Sequence, residues 1–439
     1  MPFSVNVDGC LIGNAGENVG LSTKDLEAGL QQLAPATRRL AQQRRDGTGP
    51  EFLQLPDRTE DLARAGEVAE ALAANCDDVL ILGTGGSSLG GQTLYALADS
   101  GYGNRLGGPN LHFLDNVDPD SFDDFLAAVD LSRLGVVAIS KSGGTAETLC
   151  QTLQLLEALL SEVDESRLSR QVAVITEPKD SPLKTLAARY HLPCLDHDEG
   201  VGGRYSVLSV VGLLPALLAG LDAAALRRGA REVLDQSLGV EPAHTAAPQT
   251  GAVLTVAYAH RAGLTQTVLM PYIDRLAHFG LWFRQLWAES LGKQGKGLTP
   301  IRAMGAVDQH SQLQLYLEGP RDKFFTLVRH AEAPGDAKVP AEQAEALGLD
   351  YLAGHGMGDL LDAMARATTE TLIRHRRPTR VITLNQLDET SLGGLLMHFM
   401  LETVFAAELL EVDPFDQPAV EEGKQLARQY LSQRTKSPA

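Results

Sequence analysis

The sequence predicts an α/β protein made of two doubly wound parallel-sheet domains, each an αβα sandwich, followed by a C-terminal helix. Short apolar runs recur along the chain, each ended by Gly, Ser, Asp or Pro. Longer stretches with apolar residues at helical spacing separate them, which is the pattern of βαβ units on a parallel sheet. The length of 439 residues exceeds what one core of ordinary size holds, so two or three cores are expected.

The elements follow in order. Residues 22–75 place leucines and alanines at helical spacing, so 1–75 is expected as a helical lead-in packed on the first domain. The first domain, 76–205, takes its strands from DDVLILG, NLHFLDN, GVVAISKSGG, QVAVITEPKD and LPCLDHD. Gly202-Gly203 marks its end. The second domain, 206–410, begins with a mostly helical stretch to residue 262 and then offers strands at 265–270, 323–328 and 380–384. After the turn signal DPFDQP, the tail 411–439 reads as one amphipathic helix from about residue 416 to 434.

Composition narrows the function. A net charge of -18 argues against partners such as nucleic acid or anionic lipid, which require basic surface. An anionic small substrate stays compatible, because a local site can be positive on an acidic protein. No apolar stretch approaches the roughly 20 residues of a membrane span, so no membrane association is expected. The start, MPFSVNVDGCLIGN, lacks a basic segment followed by an apolar core, and Cys10, Cys76, Cys150 and Cys194 form no CxxC pair. A reduced, cytoplasmic protein is expected.

Two loops attract attention. In ILGTGGSSLGGQTL a strand runs through Gly83-Thr84-Gly85-Gly86-Ser87-Ser88 into a helix, which offers free backbone N–H groups to an anion. A plain glycine-rich connection explains the same residues. A dinucleotide loop fits less well, because GxGxxG needs glycine at position 88 and finds Ser88. The second loop, Ser140-Lys141-Ser142-Gly143-Gly144-Thr145, follows strand GVVAIS, and its hydroxyls can bind a monophosphate or simply cap the next helix.

The Ser-x-Ser-Gly-x-Thr loop resembles the phosphate-binding loop of sugar isomerase (SIS) domains, and Gly-x-Gly-Gly-Ser-x-x-Gly resembles its companion in the glucose-6-phosphate isomerase family. The resemblance runs from about residue 80 to 425 and implies SIS-type domains in a cofactor-free, metal-free aldose-ketose isomerase (EC 5.3.1.9). Such an enzyme interconverts glucose 6-phosphate and fructose 6-phosphate through a cis-enediolate. It also implies that Gly86, Ser87, Ser140, Lys141, Ser142 and Thr145 hold the sugar phosphate.

The chemistry needs a base between C2 and C1, an electropositive group beside the enediolate, and groups that open the ring. Glu289 ends an aromatic-rich helical pattern in which Trp282, Phe283, Leu286 and Trp287 are expected to make a partly dry pocket. Alone it also reads as surface decoration. Leu-Trp-Ala-Glu-Ser-Leu-Gly-Lys, however, closely resembles the family's catalytic-glutamate segment. Arg204, in Gly202-Gly203-Arg204-Tyr205-Ser206, reads either as a structural ion pair or, by resemblance, as the group that stabilises the enediolate.

His310, in Ala306-Val307-Asp308-Gln309-His310-Ser311, is similar to the family's ring-opening histidine. The family contributes that residue across a subunit interface, so a homodimer is implied. Phe415-Asp416-Gln417-Pro418-Ala419-Val420-Glu421-Glu422-Gly423-Lys424 resembles the C-terminal signature whose lysine contacts the sugar, with Ala419 where the family has glycine. His191, Asp196, His197, Asp198 and Glu199 have no metal-ligand spacing and read as a solvated acidic loop. Three alternatives stand beside this reading: a dual glucose and mannose phosphate isomerase, a non-catalytic sugar-phosphate-sensing regulator, and half of a larger fusion enzyme.

Overall fold

The computed structural model describes residues 2–239, 246–332, 334, 335 and 337–434. Two five-stranded sheets organise the chain, one in each half. The N-terminus enters the second of them, since β1 (Phe3–Asn6) runs antiparallel to a strand from near residue 380. Helix α1 (Thr23–Asp46) starts at a capping box in which Ser22 and Asp25 satisfy each other's backbone amides. It packs on helices of the second half. Helix α2 (Glu60–Asn75) leads into the first sheet.

In the first sheet β2 (Asp78–Leu82) passes through the glycine loop to α3 (Gly86–Tyr95), then β3 (Asn110–Leu114) and β4 (Leu134–Ile139) follow. After β4 comes α4 (Ala146–Glu162), and β5 (Val172–Thr176) and β6 (Cys194–Asp196) complete the order β3-β2-β4-β5-β6, all parallel. The chain steps from β2 to one side and from β4 to the other. The crevice beyond the carboxyl ends of these two neighbours is therefore the switch point where doubly wound sheets bind ligands.

Helices α5 (Val210–Leu218), α6 (Ala223–Leu238) and α7 (Ala247–Ala262) cross to the second half. There β7 (Gln266–Pro271) leads to α8 (Ala277–Leu291), and β8 (Thr299–Arg302), β9 (Lys323–His330) and β10 (Thr379–Leu384) give the order β1-β10-β9-β7-β8. Every pairing in it is parallel except that of β1.

Helix α9 (Glu389–Leu410) is long and apolar enough to cross a membrane by length and composition, yet 89% of its most apolar window is buried inside the protein. It is the central core helix, packed against α6, α7 and α8. Among its polar side chains, Glu402 closes a buried ion pair with β10. Glu402 receives a bidentate bond from Arg380 at 2.7 and 2.8 Å, both side chains being buried. Helix α10 (Glu421–Arg434) follows a strap, 411–420, and is exposed along its described length.

Two expectations change. The lead-in does not pack solely on the first domain: β1 completes the second sheet and α1 contacts α6, α7 and α9, whereas α2 contacts α5. The short edge strands β1 and β8 fell outside the sequence-based strands. Each has only four residues, and β8 carries Pro300, so neither offers a clear alternating run.

Candidate active site

Both anion-binding candidates open into the β2/β4 crevice. Thr145 is the N-cap of α4, yet its side chain makes no cap bond. Its hydroxyl instead pairs with Ser140 Oγ at 2.8 Å, and Ser140 is buried. The plain-cap alternative is thus not the use this loop makes of Thr145, and the positive end of a 17-residue helix has no side-chain cap at Thr145. Gly143 supplies the positive φ of 62° that the loop requires, and the Ser142 hydroxyl accepts from the Gly144 amide. Lys141 differs from the expectation of a phosphate ligand. Its ammonium donates to the carbonyls of Glu199 and Val201 at 2.8 and 2.9 Å, bracing the segment that leads to Arg204.

The glycine loop lies against that same segment. A Cβ on Gly86 would stand 2.2 Å from the carbonyl carbon of Gly203 and 2.8 Å from the amide of Arg204, so only glycine lets the two backbones approach this closely. Ser87, half-buried, follows on the first turn of α3.

Arg204 sits in the 3₁₀ turn Gly203–Leu208 and is 2% exposed. All its nitrogens are engaged. Nε donates to Ser290 Oγ at 2.8 Å. Nη1 reaches Glu289 Oε2 at 3.3 Å and Gln417 Oε1 at 2.5 Å. Nη2 donates to the carbonyls of Pro414 and Asp416 at 2.5 and 3.0 Å. Glu289, on the last turn of α8, also accepts from Gln285 Nε2 at 3.0 Å, and its side chain remains 32% exposed. A carboxylate that is held at both oxygens yet remains part-exposed can exchange a proton with a ligand beside it.

Packing of α8 differs from the expected aromatic pocket. Trp282, Phe283, Leu286 and Trp287 are buried in the core, and Phe283 meets Trp287 and Phe399 of α9. They hold the helix; Gln285 and Arg204 set the surroundings of Glu289. Sequence reasoning missed Gln285, although its position four residues before Glu289 places it on the same helical face. It also missed Ser290, Tyr205 and Gln417, whose partnerships cross long sequence distances.

The strap 411–420 also reaches this site, through Pro414, Asp416 and Gln417. Phe415 packs at a tilt against Phe52 and Tyr205, and Lys293 binds the Asp413 carbonyl and the Asp416 carboxylate. Beyond it, the structure does not bring Lys424 into the cleft: its ammonium pairs with Glu421 at 2.8 Å on the exposed α10. Ala419 lies in an exposed 3₁₀ turn and is not among the residues of positive φ, so its methyl group creates no backbone strain.

His310 is also apart. It is exposed on the one-turn helix Val307–Ser311, and among the described residues no hydrogen bond links it to Glu289, Arg204 or either loop. Its neighbours are fixed, Asp308 by the Met304 amide and Ser311 hydroxyl, and Gln309 by Tyr272. The acidic loop near residue 198 is less solvated than expected. His197 is buried, and Asp198 is paired with Arg58.

Comparison with known proteins agrees in family and fold. A family model described as phosphoglucose isomerase matches residues 53–439. A glucose-6-phosphate isomerase of Rubrobacter xylanophilus is 38% identical over 93% of this chain and 94% of its own. A probable glucose-6-phosphate isomerase of Haloquadratum walsbyi is 40% identical over 94% and 92%. The crystal structure of a hypothetical protein from Thermus thermophilus superposes with a TM-score of 0.85 at 34% identity, covering 98% of this chain and 99% of that one.

Proposed function

The chain belongs to the phosphoglucose isomerase family, and on that premise we propose that it interconverts glucose 6-phosphate and fructose 6-phosphate. The observation that carries the reading is the Arg204–Glu289 pair, 3.3 Å apart, with the Arg204 turn packed against the glycine loop at Gly86.

In the proposed mechanism the phosphate sits on the amides and hydroxyls of Gly86, Ser87, Ser140, Ser142 and Thr145, while Lys141 braces their loop. Glu289 takes the C2 proton and returns it to C1. Electrons from the C2–H bond form the C1–C2 double bond as the C1 carbonyl π pair moves onto O1; the C2 hydroxyl then gives up its proton to O1, and the C2 carbonyl forms as the double-bond pair takes the returned proton at C1. Nothing is oxidised overall, so no redox cofactor enters the balance. Arg204 stabilises the enediolate charge, a contribution of about 3 to 4 kcal/mol for one well-placed donor.

Ring opening is assigned to Lys424 and to His310 of the partner subunit. A homodimer is part of the proposal, supported by the exposure of His310 and, among the described residues, by no hydrogen bond from it to Glu289 or Arg204 within one chain. Movement of α10 about the anchored strap would bring Lys424 to the sugar. The boundaries 76–205, 206–410 and 411–439 are proposed as units around the two sheets and the tail, with β1 belonging to the second. A cytoplasmic location is proposed, since free thiols at Cys10, Cys76, Cys150 and Cys194 suit a reducing compartment.

The test is a coupled assay with EDTA that follows glucose 6-phosphate formation from fructose 6-phosphate. Wild-type turnover is expected, and Glu289→Gln is expected to lose at least about a hundredfold in kcat. Absence of wild-type turnover with sugar-phosphate binding retained would refute the enzyme; more than about a tenth of wild-type kcat in the variant would refute the base.

A further inference from the structure

We propose that Ser290 is a positioning residue for the reaction, fixing the guanidinium of Arg204 through its Nε so that Nη1 alone meets the substrate. The proposal rests on the isomerase reading above.

Five N–H groups of Arg204 meet five acceptors. A developing enediolate oxygen can therefore be bound only if one acceptor gives way. The two carbonyls on Nη2 belong to the strap that Lys293 and Phe415 anchor. Ser290 on Nε is completely buried. By contrast, both acceptors on Nη1 reach solvent: Glu289 is 32% exposed and Gln417 is exposed. Nη1 is the replaceable corner, and the other two nitrogens act as a hinge pin.

Ser290 is fixed in turn. Its hydroxyl shares a 3.1 Å hydrogen bond with Tyr205 Oη, itself buried, and the guanidinium lies 5.7 Å from the centre of the Tyr205 ring. Because Ser290 directly follows Glu289 on α8, one helical turn sets both the base and the plane of the arginine that faces it. Rotation of that plane would move Nη1 away from its position beside Glu289, and misplacement of about 1 Å at such a group can cost a hundredfold in rate.

The test is a double-mutant cycle with Ser290→Ala and Arg204→Lys in the fructose 6-phosphate assay, with thermal midpoints measured in parallel. Ser290→Ala is expected to lower kcat by at least about tenfold while KM stays within about twofold, because the phosphate loops are untouched. On the Arg204→Lys background, which has no guanidinium Nε to hold, removing the hydroxyl is expected to change kcat by less than about twofold. A kcat loss of equal fold on both backgrounds would mean a merely structural role and overturn the proposal, as would unchanged kcat in Ser290→Ala or a loss confined to KM. A wild type without turnover would instead sink the isomerase reading, so the two failures are distinguishable.

Discussion

Gly86 and Gly203 stand so close that a single methyl group on Gly86 would lie 2.2 Å from the carbonyl carbon of Gly203. The contact locks the start of α3, and with it the first anion loop, onto the turn that presents Arg204.

Gly86→Ala is therefore expected to separate loop and turn by about an ångström and to reduce kcat/KM by about a hundredfold. Steady-state kinetics checks it. Activity within threefold of wild type would show that the two backbones can part without cost.

Cross-subunit assembly has its own signature. Glu289→Gln and His310→Ala are each expected to be inactive alone. Co-expressed as an equal mixture, half of the dimers are mixed and each mixed dimer holds one intact site, so about a quarter of wild-type activity should return. No recovery in purified mixed dimers would place both residues in one chain's site.

The buried Arg380–Glu402 pair governs stability rather than turnover. Glu402→Gln leaves the arginine without its carboxylate in the core and is expected to cost about 3 to 5 kcal/mol. Denaturant unfolding measures it, and a loss below about 1 kcal/mol would contradict the pair's role in fixing α9 to β10.

Acidification is expected to destabilise the fold. Burial lowers the pKa of His197, His278, His330 and His398. Each stays neutral in the folded chain while its unfolded counterpart takes up a proton below about pH 6.5, so stability present above that pH is lost as pH falls toward the folded values. Thermal midpoints between pH 7.5 and 5.5 should drop, and His398→Leu should drop less steeply. Equal slopes for the two proteins would exclude His398 as a contributor.

Much of this molecule was legible locally. The β2, β3, β4, β5 and β6 runs, the glycine and Ser/Thr loops and the tail helix announce themselves through period, turn residues and caps, which act over a few residues. The segments that carry Glu289 and Arg204 were likewise readable. Their meeting was not, because the contacts of Arg204 with Glu289, Ser290 and Gln417 span 85, 86 and 213 positions and arise only when the core closes.

Tertiary structure also turned Lys141 into a brace, sent β1 to the second sheet and buried the aromatic face of α8. It left Lys424 outside the cleft on an exposed helix. Which segments form, and which chemical groups they carry, depends on neighbouring residues and so could be read along the chain. Which groups share a hydrogen bond was decided by packing, because a buried donor such as the Arg204 guanidinium must find acceptors wherever the fold brings them.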